Sequence, residues 1–142
     1  MRNEYDADGR LISSTDADGN IIGYTHDIAG RREVIRDRRG FDTEYIYDDE
    51  GNVLSETMFG TGGVIVERTI RTYDPDQNVL TETDGEGVTI TMTYDDRANM
   101  LTESNALGET TTYTYASRNL VQTILDAENF LIVNTYDTRN TN

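Results

Sequence analysis

The sequence has no cysteine, no tryptophan and a single proline in 142 residues, and it lacks lysine, so all 12 basic residues are arginines. Without cysteine there is neither a disulfide framework nor a thiol nucleophile. No segment approaches the roughly 20 apolar residues that a membrane helix needs. Met1–Arg10 has no apolar stretch, so we expect no secretory signal. The sequence predicts no membrane insertion. If the chain is exported, we expect that it is a fragment of a larger protein or that it uses a route without such a signal.

Apolar residues and positive charge are both scarce. Hydrophobic residues make up 35% of the chain, against roughly 45–50% in typical globular domains, which favours a thin sheet with half-buried faces. The net charge of −15 argues against nucleic acid as a partner, because phosphate binding depends on lysine and arginine. It argues equally against an anionic membrane surface. We interpret the charge as a source of solubility, with a salt-adapted source or cations at acidic turns as alternatives.

What the chain does have is an internal repeat. Tyr-Asp, or a degenerate form of it, starts at residues 5, 26, 47, 73, 94, 115 and 136, in steps of 21 residues with one step of 26. We predict one array over residues 1–142, with about six repeats, a partial repeat from 136 and a five-residue insertion within 58–72. The predicted repeat-defining residues are Tyr5, Asp6, Gly9, Asp27, Gly30, Tyr47, Asp48, Gly51, Tyr73, Asp74, Tyr94, Asp95, Tyr115 and Tyr136.

Each repeat contains two turn signals about ten residues apart, such as Asp6–Gly9 and Asp16–Gly19. Aspartate or asparagine at the first turn position accepts hydrogen bonds from backbone amides, and glycine at the fourth tolerates a left-handed backbone. The intervening segments are rich in Thr, Tyr, Val and Ile, and Val88–Tyr94 alternates with period two. The sequence therefore predicts an all-β protein of tandem hairpins. About twelve strands would form a curved or spiralling antiparallel sheet, with the tyrosines on one face.

These markers resemble the RHS/YD repeat. The pattern is clearest in Tyr5–Ile12, Tyr45–Leu54 and Tyr94–Leu101, and it covers nearly the whole chain, from Tyr5 to Asn140. In bacterial RHS proteins, the Tc toxin cocoon component and teneurins, long arrays of such units resemble a spiralling β-shell, which encloses an effector or takes part in adhesion. The resemblance implies a structural scaffold, secreted or at the cell surface. Its partners would be other YD repeats of the same or a neighbouring chain.

No set of residues in the sequence indicates catalysis. His26 is the single histidine, and it occupies a tyrosine position of the repeat. A nucleophile needs a convergent base and an orienting group, and the recurrent aspartates are explained by turn geometry. We therefore predict no enzyme activity and no cofactor. Calcium at acidic turns such as Asp6–Gly9 and Asp16–Gly19 is the alternative to plain turns, although neither segment has the full calcium-loop pattern.

Two further functions stay open at this point. Terminal strands with unpaired edges would allow head-to-tail self-association into an extracellular filament. Alternatively, the chain is a surface adhesion or glycan-binding module that uses the loop at Met58–Val66 or a tyrosine face. The candidate glycan face consists of Tyr24, Tyr45 and Tyr113, with packing between neighbouring strands as the other explanation for these rings.

Overall fold

The computed structural model describes residues 1–137, and these residues form strands, turns and two short 3₁₀ segments, Thr61–Gly63 and Ser117–Asn119. The strands are β1 (Arg2–Tyr5), β2 (Leu11–Thr15), β3 (Ile21–Asp27), β4 (Arg32–Arg36), β5 (Asp42–Tyr47), β6 (Val53–Phe59), β7 (Ile65–Tyr73), β8 (Val79–Thr83), β9 (Thr89–Tyr94), β10 (Met100–Ser104), β11 (Thr110–Tyr115), β12 (Val121–Leu125) and β13 (Leu131–Val133). The all-β prediction is confirmed, with thirteen strands in the described part rather than about twelve.

The chain divides into two compact units, Met1–Arg71 (unit 1) and Thr72–Asn142 (unit 2). In unit 1, each strand from β1 to β7 pairs antiparallel with its neighbour in the sequence. In unit 2, the same holds from β8 to β13. The predicted tandem hairpins are therefore present in both units. That all repeats act as one array stays a prediction.

Neither unit has a buried apolar core. Among the described residues no hydrophobic side chain is buried, and the buried residues are Thr57 and Asn99, which are 5% and 8% exposed. Most strand residues are half-buried instead, as in β5 and β8. Stability therefore comes from ladder hydrogen bonds and from cross-strand side-chain pairs worth about 0.2–1 kcal/mol each. The low hydrophobic content of the sequence predicted such half-buried faces.

A β-bulge recurs beside the turn at the repeat start. Glu4 pairs with Ser13 and Tyr5 pairs with Leu11, so Ile12 is an extra residue. A bulge of this kind increases the local twist of the hairpin. The same register shift recurs opposite Tyr47, Tyr94 and Tyr115. The repeat thus includes a backbone irregularity in addition to its turn residues.

The extra residues of the long repeat lengthen two strands rather than the loop between them. β6 has 7 residues and β7 has 9, whereas their counterparts β8 and β9 have 5 and 6. The connecting turn has the ordinary span, since the Gly60 amide donates to the Val64 carbonyl at 2.8 Å. The hairpin of β6 and β7 is therefore longer than the other hairpins of the repeat.

Candidate functional site

Nine turns of the described chain are each built on one acceptor side chain. In the turn at Asp48, Oδ1 accepts hydrogen bonds from the amides of Glu50 and Asn52 at 3.0 and 2.8 Å. The Gly51 amide donates to the Asp48 carbonyl at 3.4 Å. The same contacts to the second and fourth following amides recur at Asp6, Asp16, Asp37, Asp74, Asp84, Asp95, Asn105 and Asp126.

An asparagine four residues after the aspartate completes four of these turns, a contact that the sequence interpretation missed. Its side-chain amide donates to Oδ2 at 2.8 or 2.9 Å in the pairs Asp16–Asn20, Asp48–Asn52, Asp74–Asn78 and Asp95–Asn99. This hydrogen bond is the main reason why the pKa of each of these four aspartates lies below its ordinary value. The recurrent Asp-x-x-x-Asn spacing was the signal that would have revealed it.

The fourth residue of these turns adopts a left-handed backbone. Glycine provides it at Gly9 and Gly51, where φ is +82° and +91°. Gln77 and Ala98 adopt the same conformation with φ of +69° and +61°. For such residues the left-handed region costs about 1–2 kcal/mol. The later repeats therefore keep the turn geometry at a conformational cost.

The turn after His26 differs from this pattern, which corrects the expectation for Asp27 and Gly30. Asp27 still belongs to β3, and its Oδ1 accepts from the Gly30 amide at 2.9 Å. The left-handed residue is Arg31, with φ of +48°, rather than Gly30. A Cβ on Gly30 would lie 2.3 Å from Asp27 Oδ2. Gly30 has no positive φ, and its missing side chain leaves room for the Asp27 carboxylate.

Side chains at several repeat starts reach back to the preceding repeat. His26 Nε2 lies 2.8 Å from the Leu11 carbonyl oxygen, 15 residues earlier. The hydroxyls of Tyr115 and Tyr136 donate to carbonyls at the same separation of 15 residues, those of Met100 at 2.8 Å and Val121 at 2.6 Å. Histidine therefore replaces tyrosine in this position as a hydrogen-bonding equivalent.

The other tyrosines of the repeat starts have different surroundings. Tyr5 ends β1 and is 57% exposed, and Tyr73 ends β7. The Tyr94 hydroxyl approaches Met92 Sδ at 3.5 Å, and that of Tyr47 donates to Glu33 Oε2 at 3.2 Å. The hydrogen bond to a backbone carbonyl of the preceding repeat is thus one of several uses of this position.

Glu33 joins the second and third repeat starts, His26 and Tyr47. Its Oε1 lies 3.0 Å from His26 Nδ1, so both ring nitrogens of this histidine have partners. Burial, followed by the charge of Glu33, raises the pKa of Tyr47. The register pairs His26 with Glu33 and Glu33 with Tyr45, so these side chains share one face. The arrangement connects three strands.

The three candidate glycan-binding tyrosines are half-buried and do not form one group within a unit. Tyr24 and Tyr45 lie on one face of unit 1, in β3 and β5, and Tyr113 lies in β11 of unit 2. The Tyr45 ring centroid is 6.4 Å from that of Tyr47, and its hydroxyl donates to Glu56 at 3.2 Å. Burial is the main cause of the raised pKa of Tyr45. Glycan binding by these rings stays a prediction.

The acidic turn at Asp6–Gly9 is closed by an arginine. Asp6 Oδ2 accepts from Arg10 Nε at 2.7 Å, and Asp8 pairs with the same guanidinium group. Within residues 1–137, no group of three or more His, Asp or Glu side chains is arranged to hold a metal ion. Calcium at these acidic turns stays an untested alternative to plain turns. No helix of the described part is long and apolar enough to cross a membrane.

Comparison with known proteins agrees with the repeat. Residues 5–42 match the model of the RHS repeat family. The fold is similar to the crystal structure of TcdB2-TccC3-TEV, with a TM-score of 0.63 and 22% identity over 86% of this chain and 7% of that chain. It is also similar to TcdB2-TccC3-Cdc42, with a TM-score of 0.58 and 18% identity over 96% of this chain and 10% of that chain. No curated protein matches. The chain thus spans a tenth or less of these structures. The resemblance to the RHS/YD repeat, which rested on the Tyr-Asp markers, is confirmed.

Proposed function

We propose that this chain, which carries RHS repeats, is a non-catalytic structural segment of an RHS/YD β-shell. The observation that carries the proposal is that no hydrophobic side chain is buried in the described part of either unit. A domain that acts alone covers one face of its sheet with a second layer and forms a core. A segment of a larger shell needs only to continue the strand ladder and to offer half-buried faces to its neighbours.

Contacts between successive repeats support the same role. Within each unit neighbouring hairpins pair with one another, and in unit 2 the Tyr115 and Tyr136 hydroxyls reach carbonyls of the preceding repeat. Arrays of this kind are stabilised mainly by interfaces between nearest neighbours. The partners in our proposal are therefore further YD repeats of the same or a neighbouring chain. The setting is secreted or at the cell surface, where a shell encloses an effector or contributes to adhesion.

An in-frame duplication tests the proposal. Residues 94–114 form one 21-residue step of the repeat, and a second copy is inserted directly after Thr114. If the chain is a modular scaffold, the longer protein folds and unfolds at a higher temperature, because one more interface between neighbours is added. Circular dichroism and thermal unfolding measure both effects.

A matched insertion is the control for this duplication. The same 21 residues in shuffled order are inserted at the same place, and we expect this variant to unfold at a lower temperature than the parent chain. Should the true duplication destabilise the chain as much as the shuffled one, the repeats are not modular and the scaffold proposal is wrong.

Light scattering on the parent chain tests the filament alternative. A filament requires particles larger than the 16.0 kDa monomer that grow with protein concentration.

A further inference from the structure

A groove of about 600 Å³ lies on unit 1, on the sheet face opposite His26 and Tyr45. Its floor is formed by β4 and β5, which contribute Arg32 and Arg36, and Asp42 and Glu44. The volume falls within the roughly 300–1,000 Å³ that is typical of small-molecule sites. This surface differs from the tyrosine face and has no part in the proposed contacts between repeats.

The long repeat forms one wall of this groove. Phe59–Gly63, at the end of the lengthened hairpin, lines it beside the floor, since β6 pairs with β5. β6 and β7 exceed β8 and β9 by two and three residues, which accounts for the step of 26 residues. The lengthened hairpin of the long repeat therefore lies at the groove. A ligand site at this place explains why the repeat has five extra residues.

Arginines are concentrated at this place in an otherwise acidic chain. Five of the 12 arginines lie between Arg31 and Arg39, although the net charge is −15. Arg32, Arg36 and Arg39 line the groove, against the two carboxylates of Asp42 and Glu44. The guanidinium groups are accessible, since the side chains of Arg36 and Arg39 are 64% and 74% exposed. Among the residues that line the groove three are cationic and two are acidic, and the carboxylate that pairs with Arg39, Asp37, does not line it.

Hydrogen bonds in the groove leave donors for a ligand. Arg36 uses Nε and one terminal nitrogen on Asp42, both at 2.7 Å, and Arg39 uses Nε on Asp37 at 3.0 Å. A guanidinium group has five N–H donors in a planar fork that matches a carboxylate. These pairs use some of the donors, and the remaining ones can bind a second, external carboxylate.

The other groups of the groove favour a sugar over an acidic peptide. Asp42 and Glu44 would repel a chain of carboxylates, whereas they are acceptors for sugar hydroxyls. Phe41 is 37% exposed, and the Arg39 guanidinium carbon lies 5.3 Å from its ring centroid, which gives an apolar surface beside a cation. A sugar acid combines one carboxylate, several hydroxyls and an apolar ring face.

We propose that this groove binds a sugar acid. The carboxylate of the ligand contacts the guanidinium groups of Arg36 and Arg39, its hydroxyls donate to Asp42 and Glu44, and its ring lies between Phe41 and the wall at Phe59. The proposal does not depend on the role of the chain in a shell, since both the shell segment and an isolated chain would contain the groove.

Titration of the full ¹⁵N-labelled chain with digalacturonic acid, followed by amide resonances at low salt, tests the proposal. We expect the shifts to concentrate in residues 36–44 and 59–64. The dimethyl ester of the same sugar should bind at least about tenfold more weakly, because it lacks the charge that pairs with arginine. Added salt should weaken binding of the acid.

Two variants locate the site. Arg39→Gln removes an exposed guanidinium group and should weaken binding about tenfold, while Arg97→Gln, an exposed arginine in unit 2, should change nothing. Deletion of Met58, Phe59 and residues 65–67, which restores the 21-residue step, should abolish binding. Circular dichroism checks that the variants remain folded.

Several results would overturn the inference. These are the absence of shifts in the groove, equal binding of the ester, or an Arg39→Gln variant with unchanged affinity. A hexaglutamate peptide that shifts the same amides as strongly as the sugar acid would also contradict it, because the groove would then be a general anion patch.

Discussion

At equivalent positions of the repeat, the two units use different cross-strand chemistry. In unit 1, Arg36 makes two hydrogen bonds of 2.7 Å to Asp42 across a turn. In unit 2, the residues with the same spacing are Ser104 and Thr110, whose hydroxyls lie 2.7 Å apart. The turns between them have the same contacts to backbone amides. The turn therefore sets the register, and the facing positions accept any complementary pair.

The difference extends along each unit. Hydroxyl pairs recur in unit 2, namely Thr72–Thr81, Thr83–Thr89, Thr93–Thr102 and Thr114–Thr123 at 2.6 to 2.8 Å. Unit 1 has ion pairs on its corresponding strands, such as Arg32 with Glu44. Threonine pairs stabilise a sheet without charge, whereas arginine provides donors for a ligand as well. One hairpin geometry therefore supports uncharged hydroxyl pairs between strands in unit 2 and ion pairs between strands in unit 1.

The largest expected difference between the units is in their response to acid. Hydrogen bonds or ion pairs hold the pKa of five aspartates of unit 1 and two of unit 2 below the ordinary 3.8, namely Asp6, Asp16, Asp37, Asp42 and Asp48, and Asp74 and Asp95. A lowered folded-state pKa gives stability that is present above the unfolded value and lost as pH falls below it. We therefore expect unit 1 to lose hydrogen-exchange protection first as the pH falls through about 3.8.

Replacement of one carboxylate checks the cause of this acid response. Asp48→Asn keeps the Oδ1 acceptor and removes the titration, as Asn105 does naturally in unit 2. The variant should narrow the difference in acid sensitivity between the units. Equal loss of protection in both units of the parent chain would show that the turns do not control it.

Replacement of a turn glycine by alanine should lower the free energy of unfolding by the same amount in both units. Gly51 and Gly108 have φ of +91° and +81°, and a Cβ on either would meet no atom within 4 Å. Gly51→Ala and Gly108→Ala should each lower the free energy of unfolding by about 1–2 kcal/mol, because the penalty is purely conformational. Denaturant unfolding measures it. Gly23→Ala is the control, since Gly23 has no positive φ and the nearest atom to an added Cβ, Arg36 Cβ, lies at an ordinary 3.8 Å. Unequal costs in the two units would mean that their turns are not equivalent.

A stabilising substitution sharpens the same comparison. Ala98 occupies the fourth turn position in unit 2 with φ of +61°. Ala98→Gly should raise the free energy of unfolding by about 0.5–1 kcal/mol, as relief of the left-handed strain is partly offset by the greater freedom of glycine when unfolded. Ala127→Gly, in a turn position without positive φ, should be destabilising instead. A loss of stability in Ala98→Gly would refute the strain argument.

The smallest expected effect concerns the facing pairs themselves. A double-mutant cycle on Arg36 and Asp42, with threonine at both positions, should show a coupling at low salt that shrinks at high salt. The corresponding cycle on Ser104 and Thr110 should show about 0.2–1 kcal/mol, independent of salt. Identical salt dependence in the two cycles would remove the distinction between the units.

Local features could be predicted from the sequence, whereas contacts between residues distant in the sequence could not. The acceptor role of Asp48 and the left-handed backbone of Gly51 follow from residue type and spacing within four residues. The side-chain hydrogen bond from Asn52 was missed. The exchange of roles between Gly30 and Arg31 was hidden, because both lie in one short turn and the pattern does not show which adopts positive φ. The contact of His26 with the Leu11 carbonyl depends on the pairing register of neighbouring strands, which only the folded sheet defines.

The sequence by itself determined the strand–turn alternation, the step of the repeat and the aspartate or asparagine that begins most turns, because these depend on contacts within a few residues along the chain. Tertiary structure decided which side chains face one another, how the long repeat accommodates its extra residues, and that Arg36 and Arg39 lie near Phe59. Those outcomes depend on cross-strand register, since a shift of one residue would move every side chain to the opposite face.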